Sequence, residues 1–124
     1  MQNVLSGHAY GEAFEHFIIL ECIKLKDAFH LEYRFSYLKT KDDAKIDLVV
    51  ERPGRPVLFI EIKSSTHVTQ EMLSGFIHLT KDFGECEAVC FSDDPLEKMI
   101  EHVHVMPWKT GLKRYFLSST KSIL

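Results

Sequence analysis

Two apolar, strand-like segments of this chain contain charged residues at positions where a buried strand would normally have none. Residues 45–50 read Lys-Ile-Asp-Leu-Val-Val, and residues 59–63 read Phe-Ile-Glu-Ile-Lys. An isolated charge is strongly disfavoured in a protein interior because it loses its hydration. Asp47, Glu61 and Lys63 therefore need compensating partners inside the fold. We expect a bound divalent metal ion to be that partner, and we expect the protein to use the ion in a reaction.

The length and composition are those of one globular domain. With 124 residues, 45% of them hydrophobic, the chain is long enough to bury a core, and we assign 1–124 to a single domain. The sequence begins without the basic and apolar segments of a signal peptide, and no apolar run approaches the ~20 residues that span a membrane. Because three cysteines are too few for a disulfide scaffold, we expect a cytoplasmic protein that does not associate with membranes.

Hydrophobic periodicity predicts a helix, three strands, a second helix and a fourth strand, in that order. The predicted elements are a helix over about 10–26, strands over 30–38, 44–51 and 57–63, a helix over 69–83, a strand over 87–91, a short helical segment over 96–100, a strand over 103–106 and a last helix over 107–117. The Pro-Gly-Arg-Pro segment at 53–56 predicts a hairpin between the second and third strands. This αβββαβ order favours an α/β fold with a mixed β-sheet flanked by helices.

Alternation along the predicted strands brings the charged side chains together. Glu61 and Lys63 share one face of their strand, roughly 6.5–7 Å apart along it. Asp47 lies on the face opposite Ile46 and Leu48, and the hairpin brings it alongside Glu61 if the two charged faces coincide. Two carboxylates with oxygen ligands alone suit Mg²⁺ or Mn²⁺, whereas Zn²⁺ more often has His or Cys ligands. The alternative is a structural Glu–Lys ion pair that reaches the edge of the sheet.

A metal ion at such a place can promote the hydrolysis of a phosphodiester. It lowers the pKa of a bound water, polarises a phosphoryl oxygen and holds the substrate in line. Lys63 would lie beside that water and would orient it or stabilise the charge of the transition state. Glu15, on the first helix, is a further candidate that would reach the metal directly or through water; the alternative is a partly exposed acid on an amphipathic helix.

The order of these residues resembles that of the PD-(D/E)XK nuclease superfamily, whose fold is restriction-endonuclease-like. The match is closer to one branch, the nuclease-like domain at the C-terminus of a prokaryotic AAA+-type ATPase family of unknown function. The shared motifs are a Tyr-Gly-x-x-Phe-Glu helix start at 10–15, an apolar-Asp strand after a Thr-Lys turn at 40–47, a Glu-apolar-Lys-Ser-Ser run at 61–65, and a Pro-Trp pair at 107–108 before a helix.

This resemblance implies a metal-dependent nuclease in which Asp47 and Glu61 bind Mg²⁺ or Mn²⁺, Glu15 is the helical acid of the metal site, and Lys63 is the catalytic lysine. It implies DNA as the substrate, ahead of RNA, and an attached AAA+-type ATPase as a partner. One residue departs from the branch: Lys45 stands where an acidic residue is usual, and a basic residue there would weaken metal binding or contact a phosphate. Because the net charge is −3, we expect a partner or a homodimer to help form a DNA groove.

Besides a fragment whose fold merely retains the acidic cluster, two alternatives stay open. The first is a non-catalytic nuclease-like module that binds DNA or regulates an attached ATPase. The second is a zinc site built from Cys86, Cys90, His102 and His104, although this spacing is more typical of core cysteines and surface histidines.

Overall fold

The structure is a computed structural model that describes residues 7–42 and 44–117, apart from the side chain of His8. The helices and strands are α1 (Gly7–Ala28), β1 (Arg34–Lys39), β2 (Lys45–Glu51), β3 (Val57–Lys63), a 3₁₀ turn (Glu71–Leu73), α2 (Ser74–Thr80), β4 (Cys86–Ser92), β5 (Lys98–Ile100), β6 (Val103–Pro107), α3 (Trp108–Leu112) and a π-helical turn (Lys113–Leu117). The first helix, three strands, second helix and fourth strand occur in the predicted order. The predicted domain, 1–124, extends at both ends beyond the described residues.

One six-stranded mixed sheet forms the centre of the fold, with the strand order β1-β2-β3-β4-β6-β5. The first three strands are antiparallel neighbours, β4 runs parallel to β3 and β6, and β5 returns antiparallel to β6. The α/β class and the mixed sheet flanked by helices are therefore confirmed. The chain passes from β3 to the parallel β4 through the 3₁₀ turn and α2, as a parallel pair requires.

Helices cover both faces of the sheet and produce two hydrophobic cores. On one face, α1 packs through Phe14, Ile18 and Cys22, together with the last two helical turns, against β3 and β4. On the other face, α2 and the turn before it pack through Leu73 and Phe76 against Phe59 and its neighbours. Each of these side chains is almost completely buried, so the hydrophobic effect holds the three layers together.

The predicted β2–β3 hairpin is confirmed, and its turn follows from the sequence. The backbone N–H of Arg55 donates a hydrogen bond to the carbonyl of Arg52 at 3.1 Å. Between them, Pro53 supplies the fixed φ of the first central position, and Gly54 adopts a φ of +70° at the second. Within β3, the observed bounds of 57–63 equal the predicted ones.

The segment 96–100 is not helical as predicted, because residues 98–100 form the edge strand β5. Lys98 faces Val105 and Ile100 faces Val103 across a tight turn in which Glu101 has a φ of +53°. Pairing with the buried strand β6 outweighs the helix propensity of this short segment. The second helix is also shorter than predicted: α2 ends at Thr80 and not near residue 83.

An irregularity in β2 positions one of the candidate residues. Ser36 pairs with Val49, but Leu38 pairs with Ile46, so the register between β1 and β2 shifts by one residue. The extra residue on β2 falls at Asp47 or Leu48, which makes this a β-bulge. The predicted single face for Ile46 and Leu48 is therefore wrong: Leu48 packs in the core beneath α1, whereas Ile46 packs in the core beneath α2.

Across residues 7–42 and 44–117, the helices are too short or too polar to cross a membrane.

Candidate functional site

An open cleft lies where the first half of α1 approaches the start of β2 and the end of β3. Its volume is about 350 Å³. The lining residues are Gly7, Gly11, Glu12, Glu15, Lys45, Asp47, Glu61, Ile62, Lys63 and Ser64. All four predicted site residues therefore line one cavity, although they come from three elements that are distant in sequence.

Asp47 is held in the wall of the cleft by the backbone of β3. The β2–β3 ladder ends at the Leu48–Ile60 pair, and beyond it the Oδ2 atom of Asp47 accepts a hydrogen bond from the backbone N–H of Ile62 at 2.9 Å. The other carboxylate oxygen, Oδ1, is buried and has no hydrogen-bond partner among the described residues. It lies 3.2 Å from the Nζ atom of Lys45, an ion pair without the angles of a hydrogen bond.

Glu61 is the most strongly perturbed acid of the cleft. Its side chain is only 10% exposed, and its Oε1 atom is buried without a hydrogen-bond partner among the residues described. Burial and, second, the neighbouring charge of Asp47 raise the pKa of Glu61 to about 8. The predicted placement of Asp47 beside Glu61 is thus confirmed, and the two acids disfavour each other's ionised forms.

Lys63 accompanies Glu61 on the same strand. Its Nζ atom lies 3.5 Å from the Oε2 atom of Glu61, and its side chain is about one third exposed. Two residues along a strand point to the same side, which explains this contact. The ammonium group consequently borders both a buried carboxylate and the open volume of the cleft.

Glu15 reaches the cleft from the helix. Because Phe14 and Ile18 fix the buried side of α1, Glu15 is directed towards the ends of β2 and β3, and its side chain is 28% exposed. Burial and the charge of Asp47 raise the pKa of Glu15 above its usual value. Glu15 is therefore a partly buried member of the cleft.

Lys45 also lies in the cleft, although it is not among the residues predicted to be catalytic. Its Nζ atom lies 3.2 Å and 3.4 Å from the two carboxylate oxygens of Glu15, in addition to its contact with Asp47. Burial lowers the pKa of Lys45, but the carboxylates of Asp47 and Glu15 outweigh this effect and raise it. In the sequence, Lys45 stands out only because an acidic residue is usual at this position. Its contacts could not be predicted, because strand alternation does not locate the end of a long side chain.

The side-chain positions do not by themselves form a three-ligand metal site. Over the described ranges, no group of three His, Cys, Asp or Glu side chains is arranged to hold a metal ion. In the cleft, the Lys45 ammonium contacts both Glu15 and Asp47, which supplies positive charge between them. The zinc alternative is not supported either, because His102 bonds to Thr80 at 2.7 Å and Cys90 is buried in the core.

The cleft contains acceptors for a cation and donors for an anion. The acceptors are two buried carboxylate oxygens: Oε1 of Glu61, which has no hydrogen-bond donor among the described residues, and Oδ1 of Asp47, which contacts only the Lys45 ammonium. Two lysines, Lys45 and Lys63, border the same cavity and provide donors for an anion. An acid pair that disfavours its own double ionisation is a common property of functional sites.

The fold and the cleft together define the class of protein: a mixed α/β domain with a cleft at the ends of adjacent strands, lined by buried acids and by partly exposed lysines. The chain belongs to the family described as domain of unknown function DUF4143, whose family model matches residues 10–110. The matched segment contains Glu15, Lys45, Asp47, Glu61 and Lys63. Searches of curated proteins and of solved structures returned no match to the chain.

Proposed function

We propose that this domain is a phosphodiesterase of the restriction-endonuclease type that uses Mg²⁺ or Mn²⁺ to hydrolyse DNA. The observation that carries the proposal is the pair Asp47–Glu61 in an open cleft that Lys63 also lines: the buried Oε1 atom of Glu61 has no hydrogen-bond donor among the described residues, and the buried Oδ1 atom of Asp47 has only its ion pair with Lys45. The unsatisfied Oε1 atom of Glu61 costs stability in the protein without ligand, which supports a role in binding a cation.

The arrangement of elements supports the finer fold assignment in this proposal. A helix precedes three antiparallel strands, and a crossover helix leads to a strand parallel to the third. This order of elements is the one we expect for the αβββαβ core of a restriction-endonuclease-like domain, and it supports that assignment. The candidate residues lie on the first helix and on the second and third strands, as the PD-(D/E)XK resemblance implies.

The donor set of the cleft fits a hard divalent cation. Asp47 and Glu61 would hold the ion through carboxylate oxygens, with Glu15 directly or through water, and no thiolate or imidazole lines the cavity among the residues described. When bound, such an ion supplies an activated water and Lewis-acid stabilisation of a phosphoryl oxygen. It would also compensate the repulsion that raises the pKa of Glu61.

The chain's own residues then have separate roles. The hydrogen bond from the Ile62 N–H fixes the carboxylate of Asp47 and leaves its second oxygen, Oδ1, in contact with Lys45. The ammonium of Lys63 orients the attacking water or donates to a non-bridging phosphate oxygen as negative charge develops. Its contact with Glu61 at 3.5 Å holds the lysine near that position before substrate binds.

Substrate binding needs positive charge beyond that of the cleft. The net charge of −3 gives no overall attraction for a polyanion. We therefore propose that DNA binding depends on a second copy of the chain or on an attached AAA+-type ATPase. In this scheme the partner supplies affinity for DNA, and the cleft supplies the chemistry.

One observation favours a second candidate function, a non-catalytic nuclease-like module that binds DNA or regulates an attached ATPase. Lys45 already neutralises part of the acid cluster through Glu15 and Asp47. An ammonium in that position would allow the cleft to persist without a metal ion. The two candidates differ in whether a divalent cation binds and whether DNA is cut.

The test combines thermal unfolding with plasmid nicking in Mg²⁺ or Mn²⁺. We expect the cation to raise the melting temperature and to support nicking of supercoiled DNA. Asp47→Asn should abolish the cation-dependent rise, because one of the two buried ligands loses its charge. A wild-type protein that shows neither stabilisation nor nicking would exclude the enzymatic function, and DNA binding without either effect would support the regulatory module.

Lys63→Met tests the role of the lysine separately. We expect nicking to fall by about 100-fold or more, as for loss of one transition-state donor, while the cation-dependent rise in melting temperature persists. Lys81→Met, which removes an exposed lysine away from the cleft, is the matched control and should nick DNA normally. Wild-type nicking by Lys63→Met would remove this residue from the mechanism.

A further inference from the structure

We propose that Lys45 is a tethered cation that competes with the divalent ion for Glu15 and Asp47 and thereby sets the metal affinity of the cleft. This inference rests on the proposed function, because it concerns the same site. Its starting point is the ammonium of Lys45, which lies 3.2 Å from oxygens of both Glu15 and Asp47.

The competition follows from which atoms the ammonium uses. Lys45 contacts both oxygens of Glu15 and the Oδ1 atom of Asp47, which is the Asp47 oxygen not bonded to the backbone. A divalent ion held by Asp47 would need that same oxygen. Because like charges repel strongly in a partly buried cleft, the ion and the ammonium cannot both have full contact with these carboxylates. Metal binding therefore requires Lys45 to withdraw.

The charges of the cleft favour this exchange. The carboxylates of Glu15, Asp47 and Glu61 face the ammonium groups of Lys45 and Lys63. Withdrawal of the Lys45 ammonium makes the charge around Glu15 and Asp47 more negative by one unit, which favours a divalent cation.

Lys45 is the group that moves when a metal ion binds, because its partner Asp47 is buried and Lys45 is not. Its side chain is 52% exposed, whereas that of Asp47 is 3% exposed and fixed by the N–H of Ile62. Lys45 is the first residue of β2, where a long side chain can turn into solvent without disturbing the core. Without metal, the same side chain supplies the positive charge that the buried acids need. Lys45 therefore stabilises the metal-free cleft and weakens its affinity for the ion.

The experiment is titration calorimetry with MnCl₂ on the full chain, comparing the wild type with Lys45→Met, Lys45→Arg and Lys41→Met. Methionine keeps an unbranched apolar stem and removes the charge. We expect Lys45→Met to bind Mn²⁺ about tenfold more tightly, since a competing charge–charge contact is lost. Lys45→Arg keeps the competing cation and should stay near the wild-type affinity. Lys41→Met removes an exposed lysine outside the cleft and should change the affinity less than twofold.

Thermal unfolding of the same proteins provides a second readout. In EDTA, Lys45→Met should melt below the wild type, because Glu15 and Asp47 lose their counter-charge; saturating Mn²⁺ should then raise its melting temperature by more than that of the wild type. Equal Mn²⁺ affinity in the wild type and Lys45→Met would overturn the competition and leave the metal site standing. Absence of Mn²⁺ binding in every variant would overturn both the competition and the proposed metal-dependent function.

Discussion

Asp94 and Glu61 are both buried acids, but the fold treats them in opposite ways. Asp94 accepts hydrogen bonds from the backbone N–H groups of Val68 and Leu96, and its Oδ2 atom lies 2.8 Å from the ammonium of Lys98. These interactions, led by that of Lys98, lower the pKa of Asp94 to about 2. Glu61 has one long contact with Lys63 and an oxygen without a donor, and its pKa rises to about 8.

The difference separates an acid that builds the structure from one that is available for a ligand. Asp94 joins the start of the crossover, at Val68, to the loop after β4, and every contact favours its ionised form. Glu61 faces a second acid, Asp47, and its environment disfavours ionisation. A buried acid that destabilises the empty protein is more informative about function than a buried acid that is satisfied.

The two acids should differ most in how much the free energy of unfolding changes when each charge is removed. We expect the largest change at Asp94. Asp94→Asn should lower the free energy of unfolding by about 3 kcal/mol, because it breaks a buried ion pair and weakens an acceptor of two N–H groups. Urea unfolding at neutral pH measures the change. Asp93→Asn, the same substitution at the adjacent position, should cost much less. Equal costs for the two variants would show that Asp94 has no special structural role.

Acid should remove the Asp94 contribution in a defined pH window. The pKa of Asp94 is lower in the folded state than in the unfolded chain, so its stabilisation is present above about pH 4 and disappears as the pH falls towards 2. We expect the stability difference between the wild type and Asp94→Asn to shrink by about 1 to 2 kcal/mol across this window. Unfolding curves at pH 5, 4, 3 and 2 measure it; a constant difference would contradict the assignment.

Glu61 should give a smaller effect of the opposite sign. Its pKa is higher in the folded state, so the stability of the wild type without metal should decrease as the pH rises from about 4.5 to 8. Glu61→Gln removes this dependence and should stabilise the protein in EDTA by about 1 kcal/mol at pH 8.5, with less gain at pH 5. Glu85→Gln, an exposed control, should show no such trend. Destabilisation by Glu61→Gln at pH 8.5 would place Glu61 with Asp94 among the structural acids.

The sequence predicts best the elements whose pattern and packing agree. For β3, the alternation of apolar residues and the Pro-Gly turn before it locate both ends correctly. The bend after β5 contains no glycine to signal a turn, although Glu101 in this bend adopts a left-handed conformation. The pairing of β5 with β6 is a tertiary effect that local propensity does not contain. Similarly, a hydroxyl–carbonyl bond from Thr80 accompanies the early end of α2.

The residues of the candidate site also differ in how well the sequence predicts their contacts. Strand alternation is sufficient to place Glu61 beside Lys63, whereas helix periodicity leaves open whether Glu15 points at the sheet, and only the structure places it in the cleft. The contact of Lys45 with Glu15 joins residues thirty positions apart, and it depends on the end of a flexible side chain. The sequence alone does not identify the role of Asp94 either: its partner Val68 is twenty-six positions away, and Leu96 and Lys98, although near in sequence, contact it only through the turn after β4. Composition and spacing identify the charged groups, whereas three-dimensional contacts decide what each charge does.

The bulge in β2 limits how the chain can change length. Deleting one residue at position 47 or 48 would restore regular alternation and give a more uniform sheet, because β1 and β2 would then pair without interruption. The same deletion would leave Lys45 and Ile46 paired with Lys39 and Leu38, but it would either remove Asp47 or move it into the place of Leu48, whose side chain is buried in the core beneath α1. A smoother sheet and a working cleft are therefore mutually exclusive in this segment. Insertions and deletions here should be selected against even where they would improve folding.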